Sequence, residues 1–228
     1  MTTDNPLAAV QALTAFTVTV GYHRDQTVLD IHQPGAEQPV ARMVKAGPIR
    51  ARAAYELFTG PALDQVAGQL SPSGALHTDG TPVGVVNLSG GRVADAGIHP
   101  MSGARHSYVV ADPTVWRVVP AGLPPLVGHA ADRQTRFCFN RLTKLWEKVG
   151  FGIWVDAFIA LTFDFRAPDS AGFRVKRAGG GRARFEVSVA DPRIDRRMVL
   201  ACLAAMAALL TWTPRREAVD AVSPFRRN

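Results

Sequence analysis

The sequence predicts a mainly β fold, a meandering antiparallel sheet with one buried helix near its C-terminal end. Several short segments alternate apolar and polar residues with the period of two that marks a half-buried strand. Breakers such as Gly60-Pro61, Asp79-Gly80, Gly90-Gly91 and Pro124-Pro125 punctuate them, giving the turn density of such a sheet. One run, Met198 to Trp212 (MVLACLAAMAALLTW), is apolar nearly throughout. With 228 residues, 47% apolar and 20% charged, the chain can bury a substantial core in one domain, and extended disorder is not expected.

Taken in order, Leu13 to Val20 and Thr27 to His32 are the first strand signals, rich in Val, Thr and Leu. In Ile49 to Phe58, Ile49, Ala51, Ala53, Tyr55 and Leu57 share one face and Arg50, Arg52, Ala54, Glu56 and Phe58 the other, so a strand is expected there. Pro82 to Leu88, Tyr108 to Ala111 and Val115 to Val119 are further short strands bounded by Gly, Pro and Asp. Phe139, Leu142, Trp146 and Val149 follow i, i+3, i+7, i+10 spacing, which predicts a short amphipathic helix. From Ile153 to Arg166 strict alternation returns, with Leu161, Phe163 and Phe165 on the apolar side and Asp156 and Asp164 on the other. A hairpin follows, Phe173 to Arg177 and Arg182 to Val189 around a glycine-rich turn.

Asp191-Pro192 opens the final helix, with Asp as N-cap acceptor, Pro at the first helical position and Asp195 in the first turn. The apolar run has 15 residues, short of the about 20 needed to cross a bilayer, and a helix apolar all round is expected in a core. The alternative is a membrane anchor, with Arg193, Arg196 and Arg197 before the run and Arg215 and Arg216 after it at headgroup level.

The formal charge is +7, carried by 22 Arg and only four Lys beside 34 Ala, a composition bias that makes the charge weak evidence for nucleic acid. Its distribution says more. Residues 1–130 hold 8 basic and 9 acidic side chains and residues 131–228 hold 18 and 10, so an anionic partner should meet the second half. The start MTTDNPLAAV lacks the regions of a signal peptide, and Cys138 and Cys202 each sit among apolar neighbours. Buried free thiols in a reducing cytoplasm are expected, a disulfide being the less favoured alternative, with a peripheral position at a membrane as a variant.

The combination of many short strands, little helix, and one alanine-rich helix entered through RFEVSVADPRIDRRMVLACLAAMAALLTW resembles the tubby C-terminal-like superfamily, which includes the LURP-one-related proteins and the phospholipid scramblases. The resemblance implies an antiparallel closed barrel of about twelve strands enclosing a hydrophobic C-terminal helix; a closed sheet has no edges and must be filled. It divides the chain into a lead-in at residues 1–12, a single barrel domain at 13–212 with its core helix at about 192–212, and a polar tail at 213–228. No family ligand motif is matched, so no lipid, calcium or palmitoylation position is carried over.

The candidate site is the hairpin. If Phe173 and Val175 face the core, Arg174 and Lys176 face outward, and if Phe185, Val187 and Val189 face the core, Arg182 and Arg184 do too. Four cations on one face can grip phosphate oxygens, Arg in bidentate fashion and Lys as a point charge. The competing reading is a solvated outer face partly neutralised by Glu186.

No catalytic residue, metal or cofactor is nominated. Six scattered histidines lack zinc spacing, and no Gly-x-Ser-x-Gly, GxGxxG or P-loop pattern occurs. Asp156 and Asp164 on one straight strand would stand about 26 Å apart, too far for an acid and base pair. A non-enzymatic binding or scaffold protein touching anionic lipid or a protein partner is therefore expected. The alternative is an enzyme with a pocket built from sequence-distant residues. Nucleic acid is disfavoured because the cations are not interleaved with exposed aromatics.

Overall fold

The strands obey the alternation that the sequence announces. In the computed structural model, residues 6–49, 51–88, 91–98, 105–111, 113–138, 160–179 and 183–210 are described. The amphipathic helix expected around Phe139 to Val149, the first part of the long strand, Arg182 and the tail at 213–228 lie outside them.

A short helix, α1 (Pro6–Gln11), precedes seven strands: β1 (Ala15–Tyr22), β2 (Gln26–His32), β3 (Ala41–Ala46), β4 (Tyr55–Thr59), β5 (Gln65–Leu70), β6 (Ala75–Thr78) and β7 (Thr81–Asn87). Then come β8 (Gly91–Ile98), β9 (Arg105–Ala111), a single 3-10 turn at Pro113–Val115, β10 (Arg117–Pro120), β11 (Leu126–Ala130) and α2 (Arg133–Cys138). The chain continues with β12 (Leu161–Ala167), β13 (Ser170–Arg177), β14 (Arg184–Val189) and α3 (Arg196–Leu210). Twelve strands close an antiparallel barrel in the order β1-β14-β13-β12-β11-β10-β7-β6-β5-β4-β3-β2, and β8 and β9 form a separate two-stranded ribbon inserted between neighbours β7 and β10. The closed barrel of about twelve strands is thus the fold, and its seam joins the first strand to the last, with Phe16 opposite Val187.

Inward positions supply the core, and α3 fills it. Met198, Val199, Leu200, Ala201, Cys202, Leu203 and Ala204 are consecutive and all buried. A helix can be buried on every face only when something surrounds it. No helix among the described residues is long and apolar enough to cross a membrane. An aromatic column lines one wall: Trp116 lies 5.2 Å from Phe163 and 6.4 Å from Phe165, which stacks on Phe173 at 4.8 Å between centroids. Gly128 permits this approach, because a Cβ there would stand 2.7 Å from the Pro113 carbonyl oxygen and 3.2 Å from Trp116 Cβ.

The helix begins later than expected. Asp195, not Asp191, is the N-cap: its carbonyl accepts from Met198 N at 3.0 Å and its Oδ1 from Arg197 N at 2.9 Å. Asp191 instead closes a turn one step upstream, accepting from Arg193 N at 2.9 Å, while the Ile194 amide returns to the Asp191 carbonyl at 3.3 Å. That turn buries Ile194 before the helix starts, so the core helix runs from Arg196 and not from about 192. Residues Pro6–Gln11 of the expected lead-in form α1, which places Val10 in the core.

Around this entrance polar groups are buried and matched. Arg196, 2% exposed, donates to the carbonyls of Leu13, Asp191 and Ile194, and Gln11 accepts from the Arg196 amide while donating to Asp195 at 2.6 Å. Arg197 grips Asp195 and reaches Ala67 O and Thr78 Oγ1. Asp191 accepts from Ser170 Oγ at 2.5 Å and from the Arg193 guanidinium at 2.7 Å. The Arg193 and Ser170 hydrogen bonds hold the Asp191 carboxyl well below the usual carboxylate range despite burial. Burial pushes Asp195 up, but the hydrogen bonds from Arg197 and Gln11 outweigh it and leave this carboxyl lowered as well.

A depressed native pKa means that the native state holds its proton less tightly than the unfolded chain. The resulting stabilisation is complete above the unfolded value of about 4 and is lost as pH falls toward the native one. The wild-type melting temperature is expected to drop below about pH 4. Asp191→Asn should melt lower near neutrality and show a flatter acid limb; thermal unfolding followed by circular dichroism from pH 7 to pH 2 checks both.

Candidate functional site

Strand pairing decides which cations meet. β13 and β14 pair with Phe173 opposite Val189, Val175 opposite Val187 and Arg177 opposite Phe185, so Arg174 and Lys176 lie on the outer face beside Ser188 and Glu186. Their neighbours alternate as the register requires, Phe173, Val175, Phe185 and Val187 being buried and Arg174, Lys176 and Arg184 exposed. Three of the four expected cations therefore share one face; Arg182 lies outside the described residues.

They do not share the same electrostatic state. Arg174 stands opposite Asp164 of β12 and binds it through one edge of the guanidinium, Nε to Oδ1 at 2.7 Å and Nη2 to Oδ2 at 3.1 Å. The Asp164 hydrogen bonds push the Arg174 pKa up. A second arginine, Arg166, donates through Nη2 to Oδ2 of the same carboxylate at 2.5 Å. Asp164 is only 9% exposed at its side chain, whereas Arg166 and Arg174 are 55% and 52% exposed. One covered carboxylate thus anchors two solvent-facing guanidinium groups. Lys176 pairs with Glu186 at 3.1 Å, both about half exposed, an ion pair of small energetic weight in water. The Arg184 carbonyl accepts from Ala178 N at 2.8 Å, its side chain makes no hydrogen bond or ion pair among the described residues, and its strand neighbour on the other side is Thr19 of β1. The face formed by Arg166, Arg174, Lys176 and Arg184 against Asp164 and Glu186 keeps a net charge of +2.

Sequence reasoning placed Asp164 on the outer side of its strand but not as the anchor of two arginines, because that role depends on the β12–β13 register. It also left Arg177 unassigned. Arg177 is 3% exposed, points inward, and donates through Nη1 to the Leu210 carbonyl at the C-terminal end of α3, where a cation complements the helix dipole.

The interior offers a second kind of site. A cavity of about 480 Å³ lies at the barrel rim between α3, the β3–β4 loop and the β5–β6 turn. Lys45, 4% exposed, borders it: its ammonium donates to the carbonyls of Ile49 at 2.5 Å and Ala51 at 3.0 Å and sits 5.1 Å from the Tyr55 ring centroid. A signal for Lys45 existed, since Ala41, Met43 and Lys45 alternate to the inside. A smaller hollow of about 280 Å³ lies over β5 and the β6–β7 turn, near His77 and Asp79. Cys202 is a buried thiol, its pKa pushed up by burial, and Cys138 is half-buried. Among the described residues no three His, Cys, Asp or Glu side chains come together as a metal site would need. No family model, curated protein or solved structure matches the chain.

Proposed function

We propose that the chain is a non-enzymatic binding or scaffold protein of the tubby-like kind, peripheral at a cytoplasmic membrane face, which associates with anionic lipid through the outer side of the β13–β14 hairpin. The supporting observation is the outward display of Arg174, Lys176 and Arg184 on the paired strands β13 and β14, with Arg174 held in place by a carboxylate that is itself covered. Holding a guanidinium by its inner edge fixes its direction and leaves its remaining donors for phosphate oxygens. The barrel interior is filled by α3, which favours surface binding over internal chemistry. Each cation near an anionic surface contributes about 1 kcal/mol, so a few cations give a weak, salt-sensitive association.

Flotation with vesicles tests this. The wild type is expected to float with phosphatidylserine-containing vesicles at low salt, to stay behind with phosphatidylcholine alone, and to be released as salt rises. The double reversal Arg182→Glu and Arg184→Glu should abolish flotation with an unchanged circular dichroism spectrum, because Arg184 is exposed and contributes little to folding. Equal flotation of the two proteins, or none by the wild type, overturns the proposal.

A further inference from the structure

We infer that β6, β7 and β10 form a lid in the barrel wall, which parts from β5 and swings about the Trp116 end of β10 while the other nine strands stay paired. This inference is independent of the hairpin face.

Two thin junctions mark out the lid. β5 and β6 pair only at Gln69–His77 and Leu70–Leu76, and β10 and β11 only at Arg117–Val127 and Val118–Leu126. Every other junction of the barrel holds at least four residue pairs among the described residues. A folded sheet opens first where the fewest ladder hydrogen bonds must break, and it does so in cooperative units. The three strands between the thin junctions are neighbours in the barrel order, so they are such a unit, with the β8–β9 ribbon carried between β7 and β10.

The two junctions differ in what else holds them. Beside β10, Trp116 is fully buried against Phe163 and Phe165 of β12, and its carbonyl accepts from the Gly128 amide of β11 at 3.2 Å. That side is the hinge. At the β5–β6 junction the ladder stops short of the rim, and a hollow of about 280 Å³ lies between Val66 and Gly68 of β5 and the Thr78–Gly80 turn. Side chains bridge the gap instead. Thr78 Oγ1 donates to the Ala67 carbonyl of β5 at 3.1 Å, while Arg197 Nη1, from the first turn of α3, donates to that hydroxyl at 2.6 Å and to the same carbonyl at 3.1 Å. Arg197 is held in turn by the Asp195 carboxylate. This side is the latch.

The surface beneath the lid is apolar. α3 packs against all three lid strands, most closely at Gly84 of β7, where a Cβ would stand 2.7 Å from Met198 Sδ. Cys202, one helical turn on at i+4, shares that face of α3 and is 0% exposed. Opening the lid uncovers this face and gives an apolar molecule an entrance to the interior of a barrel that otherwise has no edge.

Hydrogen exchange of the full chain, followed by mass spectrometry at increasing urea below the unfolding transition, tests the lid. Amides of β6, β7 and β10 are expected to exchange together, at least tenfold faster than those of β1, β13 and β14, and with weaker urea dependence. In Cys138→Ser protein, alkylation of Cys202 by N-ethylmaleimide should share that weak urea dependence. Thr78→Val, which removes the latch hydroxyl without altering α3, should accelerate lid exchange and alkylation at least tenfold. Val187→Ala, which weakens β14 outside the lid, should accelerate exchange in β1, β13 and β14 and leave lid exchange and alkylation unchanged, because the opening does not break β14. Lid amides exchanging no faster than those of β1, β13 and β14, alkylation with the urea dependence of global unfolding, or acceleration of the lid by Val187→Ala overturns the inference.

Discussion

Leu203→Asp is expected to unfold the protein. Leu203 is 0% exposed in the middle of α3, with Cys202 and Ala204 beside it buried to the same degree. A carboxylate there has only apolar neighbours within its own turn, and an unpaired charge in such a place costs several kcal/mol. Whole domains are stable by only about 5–15 kcal/mol, so the substitution consumes much or all of the margin. Leu203→Ala, which removes volume without adding charge, should cost about 2–5 kcal/mol and remain folded. Near-ultraviolet circular dichroism and a denaturant titration distinguish the two. A soluble Leu203→Asp protein with a native near-ultraviolet spectrum would show that α3 is not the filling of the barrel.

The second large effect is at Gly172. Its φ is +68°, and a Cβ would stand 1.6 Å from the Phe165 carbonyl oxygen, at the irregularity where β12 meets β13. The left-handed conformation alone costs a non-glycine residue about 1–2 kcal/mol. The overlap is with backbone and has no rotamer to relieve it, so the two strands must move apart. The Gly172 carbonyl also accepts from Ala190 N at 2.9 Å and Asp191 N at 3.1 Å, so the displacement reaches the turn that leads into α3. Gly172→Ala is therefore expected to destabilise by more than about 3 kcal/mol. Gly122→Ala is the control, since Gly122 has φ +75° but nothing within 4 Å of a Cβ, and only the conformational cost should appear. If urea midpoints shift equally for both, backbone overlap is not what Gly172 avoids.

The elements legible in the sequence were those whose alternation is uninterrupted. β1, β2 and β14 carry apolar residues at nearly every inward position and β13 does so at Phe173 and Val175, so their facing could be read before any pairing was known. β3 was missed because Arg42 and Lys45 break its apolar pattern; one pairs with Asp30 and the other turns inward to a pair of carbonyls, arrangements that depend on the fold. Residues 49–54 alternate as a strand would, yet the strand starts only at Tyr55, because Pro48 interrupts the ladder and the Ile49 and Ala51 carbonyls are turned toward Lys45. β5, β6 and β11 are short and rich in Ala, Gly, Gln and His, so burial there is set by partner strands rather than by their own residues. For the candidate site, the outward direction of Arg174, Lys176 and Arg184 follows from period two, but Asp164 as their neighbour follows only from register.

The seam between β1 and β14 also governs the order in which the chain can fold. Residues near position 17 must find residues near position 186, so closure waits until almost the whole sequence is available. Long-range pairing of this kind slows folding to milliseconds or longer, as loop closure is unfavourable before the contacts form. Until β14 arrives, β1 and β13 each present an open edge able to capture another chain. The helix that fills the barrel follows β14 in the chain, so the last strand to pair and the last apolar segment to be buried are supplied together, and the interval during which sheet edge and empty interior are both exposed ends in one step.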